Sequence, residues 1–375
     1  MSEIGIGLIG TGFMGKCHAM AWNAVLPTFG DVPKPVLNIL CDLDAENAKA
    51  KAAQFGFQRW TTHWREVIDD PKVQVVSITS PNAEHREMAL AALAAGKHVW
   101  CEKPMALTLD DAEAMANAAM LAPGKTLLGY NYAQNPAIGH ARQLIEAGEI
   151  GRILHMRGVV DEDYMADGDI PWSWRCRAAS AGLGVLGDIM CHLVSIAVTL
   201  AGPIAEVCAD IDIAYRQRPV SGGKPGEMGA VENEDIAQAL VRFEAGFTGV
   251  LSSSRVAWGR KNHLMWEVHG SGGHLACDQE RMNELQFFKA EGLEETRGFR
   301  TILTGPLHAP YDRFCPAPGH GLGFNDLKVI EAAHFLRVIQ GAEAPLVDFA
   351  RGLHIERVIH GIARSARKRT WCRIA

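Results

Sequence analysis

The chain opens on an apolar run, Ile4-Gly5-Ile6-Gly7-Leu8-Ile9, that leads directly into Gly10-Thr11-Gly12-Phe13-Met14-Gly15. A buried strand that ends in G-x-G-x-x-G and opens a helix can hold a dinucleotide pyrophosphate. Its first glycine permits the tight turn, its second lets the backbone approach the phosphates, and its third lets helix and strand pack closely. Ordinary strand-to-helix turns sometimes share this pattern, but here it precedes a helix predicted over residues 16–25. We therefore predict a dinucleotide site.

The composition predicts two domains and no nucleic-acid or membrane partner. The 375 residues exceed one small core, since a domain usually has about 100–200 residues. A formal net charge of −6 disfavours nucleic acid and anionic membranes, which select basic surfaces. No apolar run approaches the ~20 residues that span a bilayer, and no signal peptide is evident. We expect a cytoplasmic protein.

Cysteine and histidine usage predicts neither disulfides nor a metal site. The nine cysteines are odd in number and include no C-x-x-C pair, which favours reduced thiols. The 15 histidines include no H-E-x-x-H motif. Cys191 and His192 are consecutive, so on a helix they point about 100° apart and do not easily share one ion. We expect no metal.

Residues 1–129 are predicted to form a doubly wound α/β domain. Short apolar strands alternate with helices, and such alternation gives parallel strands with right-handed crossovers. The strands are predicted at residues 4–9, 36–41, 73–79, 98–101 and 126–129. The intervening helices after the first are predicted at residues 45–55, 84–95 and 109–121.

Residues 130–375 are predicted to form a second, α+β domain. After a helix at 136–147, a strand at 152–160 and a helix at 187–200, strand-like runs follow one another between 204 and 304 without helices. This order predicts a large open, mostly antiparallel sheet. Arg216–Glu232, rich in Gly and Pro, is predicted as a loop. Two helices, about 325–340 and 353–367, close the chain.

Asp42 follows the second predicted strand. A carboxylate there can accept hydrogen bonds from an adenosine ribose and repel the 2′-phosphate of NADP. The loop over 27–35 explains why Asp42 lies farther from the glycines than the usual interval of about 20 residues. The alternative is a helix cap, but Asp44 suits that role better because it immediately precedes Ala45. We therefore predict a preference for NAD.

Two polar groups follow the next strands at the same sheet edge. Ser80-Pro81-Asn82 with His85 follows one strand, and Glu102-Lys103-Pro104 follows the other. Because strand ends of a parallel sheet face the cofactor crevice and Pro104 restrains the backbone, Lys103 has a fixed direction. The alternative is a surface lysine, as most lysines are.

A third group lies on the helix predicted from Gly187. Asp188 and His192 stand at i and i+4, which places them on one face of an α-helix. An aspartate beside an imidazole raises its basicity and prepares it to accept a proton. The alternative is a helix cap with a satisfied core histidine.

Together these residues resemble the glucose-fructose oxidoreductase and inositol dehydrogenase family (Gfo/Idh/MocA) over essentially the whole chain. The motifs that carry the resemblance are Gly10-Thr11-Gly12-Phe13-Met14-Gly15, Ser80-Pro81-Asn82 with His85, Glu102-Lys103-Pro104, and Gly187-Asp188-Ile189-Met190-Cys191-His192. The resemblance implies a Rossmann domain and a second domain whose open sheet often mediates dimers or tetramers. It also implies a cis Lys103-Pro104 bond and places Lys103, Asp188 and His192 at the substrate.

The candidate NAD-binding residues are Gly10, Gly12, Phe13, Met14, Gly15, Asp42, Ser80, Pro81, Asn82, His85, Glu102 and Lys103. The segment Pro171-Trp172-Ser173-Trp174-Arg175 resembles that of family members acting on cyclic polyols and anhydrosugars. Trp174 and Arg175 can cover a sugar face and bind its hydroxyls; the alternative is a structural Trp pair. With Lys103, Asp188 and His192 they form the candidate substrate site.

We therefore expect an NAD-dependent dehydrogenase that oxidises a secondary hydroxyl of a sugar or cyclic polyol to a ketone or lactone. Whether Lys103 or His192 takes the proton first is open. Two alternatives are a glycosidase that uses NAD transiently and a non-catalytic NAD-binding regulator. The presence of Lys103, Asp188 and His192 together argues against the regulator, which has no need of all three.

Overall fold

The computed structural model describes residues 2–374, which form two compact units. The first contains the residues up to Gln134 together with Leu322–Leu353, and the second contains Asn135–Gly321 and the residues from His354 onward. The boundary predicted from the sequence lies at 129/130, with all of 130–375 in the second domain. In the structure, by contrast, the segment Leu322–Leu353 belongs to the N-terminal unit.

The first unit is built on a six-stranded parallel sheet. Its strands are β1 Glu3–Ile9, β2 Lys34–Cys41, β3 Arg59–Thr61, β4 Val75–Ile78, β5 His98–Cys101 and β6 Thr126–Leu128. They are ordered β3-β2-β1-β4-β5-β6 and every pair is parallel. This is the strand order of a doubly wound dinucleotide-binding fold, so the predicted α/β class is confirmed. Strand β3, of three residues, is mostly exposed and was not predicted.

Helices follow the strands of this sheet. They are α1 Phe13–Phe29, α2 Ala45–Phe55, α3 Trp64–Asp69, α4 His85–Ala94 and α5 Leu109–Leu121. Leu8 and Leu40 from the sheet pack with Ala19 of α1 and Phe55 of α2 in a fully buried cluster. Burial of such side chains stabilises the fold by about 1.5–3 kcal/mol each. This core fixes the loop between β1 and α1 at the carboxyl edge of the sheet.

The second unit contains a nine-stranded sheet and a two-stranded hairpin. The strands are β7 Ile153–Asp161, β8 Ile204–Asp212, β9 Gln217–Pro219, β10 Met228–Ala230, β11 Ile236–Phe243, β12 Thr248–Ser254, β13 His263–Gly270, β14 Gly273–Asp278, β15 Glu284–Lys289, β16 Arg300–Leu303 and β17 Cys372–Arg373. The sheet order is β16-β15-β14-β13-β7-β12-β11-β8-β17, antiparallel except for the β7–β12 pair. The mostly antiparallel sheet was predicted. The predicted loop Arg216–Glu232 is wrong in part, because β9 and β10 pair within it.

The remaining helices are α6 Pro136–Glu146, α7 Ala178–Ala181, α8 Cys191–Ala201, α9 Phe324–Ile339 and α10 Phe349–Lys368. Immediately before α8, Leu186–Met190 forms a π-helical turn. The predicted α-helix from Gly187 is therefore wrong in its first turn. Glu234 accounts for the local departure, since its carboxylate accepts a hydrogen bond from the backbone of Leu186 at 3.1 Å and its carbonyl accepts one from Val185 at 2.8 Å.

The helical segment Ala178–Ala201 is long and apolar enough to cross a membrane, judged by length and composition alone. The expectation that no apolar run approaches bilayer length is therefore wrong for this segment. However, 78% of its most apolar window is buried inside the protein. A core helix packed on a sheet has the same composition, so the segment is weak evidence for a membrane.

Candidate active site

The glycine loop leaves open space in front of the N-terminus of α1. Gly10 has φ +96°, and a Cβ there would lie 2.7 Å from the carbonyl oxygen of Thr79. A Cβ on Gly15 would lie 2.2 Å from the carbonyl oxygen of Gly10. At Gly12, by contrast, a Cβ would meet no atom of residues 2–374 within 4 Å. The loop therefore offers the first helical N–H groups to an anion, which fits a pyrophosphate.

Two roles were considered for the carboxylates after β2, namely capping helix α2 and binding the adenosine ribose. Asp44 and Asp42 have different contacts, which suit one role each. The Asp44 carboxylate caps α2 by accepting a hydrogen bond from the backbone N–H of Asn47 at 2.7 Å. The Asp42 carboxylate instead accepts hydrogen bonds from the Thr11 hydroxyl in the glycine loop and from the Asp44 backbone. Burial raises the pKa of Asp42, but these hydrogen bonds outweigh burial and lower it. A charged carboxylate thus lies beside the glycine loop, as the ribose role requires.

His85 joins the two loops that follow β4 and β5. Its ring is buried, and its two nitrogens lie 3.0 Å from the carbonyl oxygens of Ser80 and Pro104. Burial lowers the pKa of His85, and the carbonyl acceptors of Ser80 and Pro104 oppose that shift. The Lys103-Pro104 bond is cis, which confirms the expectation from the resemblance. Direct contacts of Ser80 and His85 with a cofactor stay predictions.

Glu102 belongs to a buried charge cluster that the sequence analysis missed. One of its carboxylate oxygens lies 2.9 Å from His18 Nε2 and 2.5 Å from Lys328 Nζ, which also donates to Glu331 at 2.8 Å. Its other oxygen accepts a hydrogen bond from the backbone of Lys103 at 3.3 Å. The cluster therefore fixes the backbone at Lys103, and a contact of the Glu102 side chain with cofactor stays a prediction.

The pKa shifts within this cluster indicate which of its groups are charged. Burial alone raises the pKa of Glu102, but the Lys328 ammonium outweighs burial and holds it well below its usual range. Burial lowers the pKa of His18 to about 4 and raises the pKa of Glu331 to about 7. Near neutral pH the cluster thus holds a Glu102 carboxylate, a Lys328 ammonium and a neutral His18. Glu331 is thus easier to protonate than an ordinary glutamate.

In the second unit, Asp188 is held by two residues of other elements. Tyr164 donates a hydrogen bond from its hydroxyl to the Asp188 carboxylate at 2.6 Å, and Arg175 Nε lies 3.7 Å from the same oxygen. Burial and the Asp188 charge raise the pKa of Tyr164 well above its usual value, so the phenol remains a donor. Tyr164 was not predicted to be functional. His192 lies in the first turn of α8 and is buried.

The two tryptophans of the Pro171–Arg175 segment have different environments. Trp172 packs in a small core with Met165, and its Nε1 donates to the carbonyl of Ala230 at 2.8 Å. Trp174 is 42% exposed, and the Arg175 guanidinium lies 4.6 Å from its ring centre. Trp172 is therefore structural, whereas Trp174 and Arg175 present an aromatic plane and a cation beside Asp188.

The first unit thus carries a dinucleotide fold with an anion-accepting loop, and the second carries polar and aromatic groups suited to a hydroxylated ligand. These features define a dinucleotide-dependent oxidoreductase. The chain belongs to the Gfo/Idh/MocA family: residues 4–130 match the family's NAD-binding Rossmann fold and residues 138–276 match its C-terminal domain. It is accordingly an NAD-dependent dehydrogenase.

Several relatives match along most of their length. Levoglucosan dehydrogenase of Pseudarthrobacter phenanthrenivorans is 37% identical over 99% of this chain and 98% of that protein. A solved levoglucosan dehydrogenase in complex with NADH and levoglucosan superposes with a TM-score of 0.95 at 36% identity, covering 100% of both chains. An NAD-binding oxidoreductase from Klebsiella pneumoniae superposes with a TM-score of 0.96 at 41% identity, again over 100% of both chains.

Proposed function

We propose that this enzyme oxidises a secondary hydroxyl of a cyclic sugar, with an anhydrosugar of the levoglucosan type as its preferred substrate class. The observation that carries the proposal is the group of Trp174, Arg175, Asp188 and Tyr164. An exposed aromatic ring can stack on the apolar face of a pyranose, while a guanidinium and a carboxylate bind its hydroxyls. Such a site suits a neutral, hydroxyl-rich ring.

The relatives support this substrate class. The matching levoglucosan dehydrogenase has been solved with NADH and levoglucosan and also with NADH and L-sorbose. A second relative, 1,5-anhydro-D-fructose reductase of Ensifer adhaerens, is 33% identical over 72% of this chain. Two relatives thus bear the names of anhydrosugar enzymes. Relatives named for inositol are less similar, at 26% and 23% identity.

The chain's own residues provide the binding and proton-transfer functions. The backbone of Gly10–Gly15 would hold the pyrophosphate of NAD and Asp42 its adenosine ribose. Bound NAD supplies the acceptor for the hydride that leaves the substrate carbon. We propose that His192 accepts the hydroxyl proton and that Lys103 donates a hydrogen bond to the same oxygen as negative charge develops. Asp188 then stabilises the positive charge gained by His192.

The proposal is tested by measuring NADH formation with levoglucosan, L-sorbose, D-glucose, L-glucose and myo-inositol, each with NAD and with NADP. We expect the highest kcat/KM for levoglucosan with NAD. Preference for one of the reducing sugars or for inositol would contradict the anhydrosugar assignment. Release of aglycone from an aryl glycoside without net NADH would instead indicate a redox glycosidase.

A pair of arginine variants separates sugar recognition from general damage. Arg175→Ala removes the guanidinium beside Asp188 and should raise KM for the sugar. Arg177→Ala is the matched control, since its guanidinium lies over the structural Trp172, 5.0 Å from the ring centre. Equal effects of the two substitutions on KM would show that Arg175 has no specific part in binding.

A further inference from the structure

A row of three histidines crosses the nine-stranded sheet and includes none of the candidate active-site residues. His155 on β7 lies directly opposite His269 on β13, and His269 lies directly opposite His274 on β14. The His155 and His269 rings stack at 4.1 Å between centres, and the His269 and His274 rings are also 4.1 Å apart. Directly paired residues project from the same face of a sheet, so the register places all three imidazoles side by side.

Glu267 completes this cluster. It precedes His269 by two residues on β13, and alternate residues of a strand face the same side. Ligand atoms of Glu267, His269 and His274 all lie within 4.8 Å of one another. No metal is expected from the sequence, because the chain has no H-E-x-x-H motif and no Cys/His cluster at ligand spacing. The β13–β14 hairpin brings these three residues together in space.

Two ring nitrogens in the cluster point to a ligand. Nε2 of His155 and Nε2 of His274 are both buried, and neither has a hydrogen-bond partner within the described part of the chain, residues 2–374. Buried polar atoms in folded proteins nearly always have a partner. Phe299 packs edge-on against His274 with 5.1 Å between ring centres.

We propose that Glu267, His269 and His274 bind a divalent transition-metal ion of the Zn²⁺ type. Two imidazoles and one carboxylate form a ligand set typical of zinc, with water able to take the fourth position. Zinc bonds of about 2.0–2.1 Å place tetrahedral ligands about 3.4 Å apart, so modest side-chain rotations close the present spacing. His155 stacks on His269 and holds the plane of its ring.

A second group beside the same hairpin, His263, Asp278 and Glu280, has comparable ligand spacing. It is more fully hydrogen-bonded than the proposed site, in which His269 Nε2 lies 3.4 Å from the Glu267 carboxylate. His263 Nδ1 lies 2.8 Å from the Asp278 carboxylate, and Glu280 accepts hydrogen bonds from the backbone of Lys261 and Asn262. A metal would have to displace these partners. His263 therefore supplies a matched control on the same strand as His269.

The test is calorimetric titration of Zn²⁺ into tag-free, chelator-stripped full-length enzyme at neutral pH, with bound metal counted by elemental analysis. We expect one tight equivalent per chain. His269→Ala and His274→Ala should each weaken binding by at least the roughly 10–100-fold that follows loss of an outer-shell partner. Glu267→Gln should weaken it in the same direction, and His263→Ala should leave it unchanged. Circular dichroism and NADH binding verify that each variant is folded.

Three results would overturn the proposal: absence of a tight equivalent, binding that survives both His269→Ala and His274→Ala, or loss of binding in His263→Ala. If one histidine variant fails to fold, the remaining histidine variant and Glu267→Gln still decide the question. Substituting Co²⁺ for Zn²⁺ adds a spectroscopic readout. The visible bands of tetrahedral Co²⁺ should appear in the wild type and in His263→Ala and be absent from His269→Ala.

Discussion

Replacing Lys328 by Met should destabilise the protein more than the same substitution at any surface lysine. Lys328 is completely buried, and its ammonium lies 2.5 Å from Glu102 and 2.8 Å from Glu331. Methionine has similar length but no charge, so the substitution leaves buried carboxylates without their cation. Breaking a buried ion pair in this way costs about 3–5 kcal/mol, a large part of a typical stability of about 5–15 kcal/mol.

The cost should grow with pH. In the wild type Glu102 has a lowered pKa, so its contribution to stability is present above its unfolded-state value of 4.5 and is lost as the pH falls through the folded-state value. Without Lys328, burial raises the pKa of Glu102, and stability then falls as the pH rises above that unfolded value. The pKa of Glu331, already raised to about 7 by burial, moves further in the same direction. Lys328→Met should therefore cost more at pH 8 than at pH 5.

Urea unfolding followed by circular dichroism at pH 5, 6.5 and 8 measures this cost. Lys34→Met is the matched control, because Lys34 forms an exposed pair with Glu3 at 2.9 Å and such pairs contribute about 0–1 kcal/mol. Adding Glu102→Gln to Lys328→Met removes one unpaired charge, so the two substitutions should couple by about 0.5–3 kcal/mol. A loss below about 1 kcal/mol, or one independent of pH, would refute the assigned charges.

Four further outcomes are expected. His192→Ala should lower kcat by roughly two to four orders of magnitude while NADH affinity in a fluorescence titration stays near normal; unchanged kcat would exclude a role as base. The Lys103→Met variant should likewise bind NADH but lose turnover. Normal turnover would show that Lys103 is a surface lysine with no part in catalysis. Asp42→Ser should raise kcat/KM for NADP relative to NAD, since a charge that repels the 2′-phosphate is removed; an unchanged ratio would contradict the ribose role. Trp174→Ala should raise KM for the sugar with little change in thermal midpoint, whereas Trp172→Ala should lower the midpoint, and the reverse pattern would contradict their assigned environments.

The parts of the first unit that sequence could predict are those decided by neighbouring residues. Gly10 adopts a positive φ and Gly15 closely approaches the loop, and both demands are met by glycine alone. Asp44 caps the helix that begins one residue later. Strands β1, β2, β4, β5 and β6 are apolar and buried, so their composition identifies them. Strand β3 is only three residues long and its first two residues are exposed, which leaves no comparable signal.

The residues that sequence could not predict depend on contacts between distant segments. Lys328 and Glu331 stand at i and i+3, a spacing typical of a solvated helix face, yet both are buried against Glu102. Glu102 is 226 positions away from Lys328 in sequence, and nothing local indicates their pairing. Tyr164 is similarly hidden, because it lies in an irregular segment after β7 and meets Asp188 only through the fold.

The relative placement of Asp188 and His192 depends on a π-helical turn, which helix propensities do not predict. Their predicted alignment assumes 3.6 residues per turn, but Leu186–Met190 is π-helical, with hydrogen bonds from i to i+5 that widen the turn. The Asp188 carboxylate accepts its hydrogen bond from Tyr164 and has Arg175 beside it. Its position is therefore set by the segment that carries Arg175 as much as by the helix that carries His192. Under the proposed function, one carboxylate would orient the guanidinium proposed to bind substrate and would also favour the charged form of the imidazole proposed to receive the proton. Such π turns are frequently found at functional sites, and this one carries the carboxylate to which both proposed roles are tied.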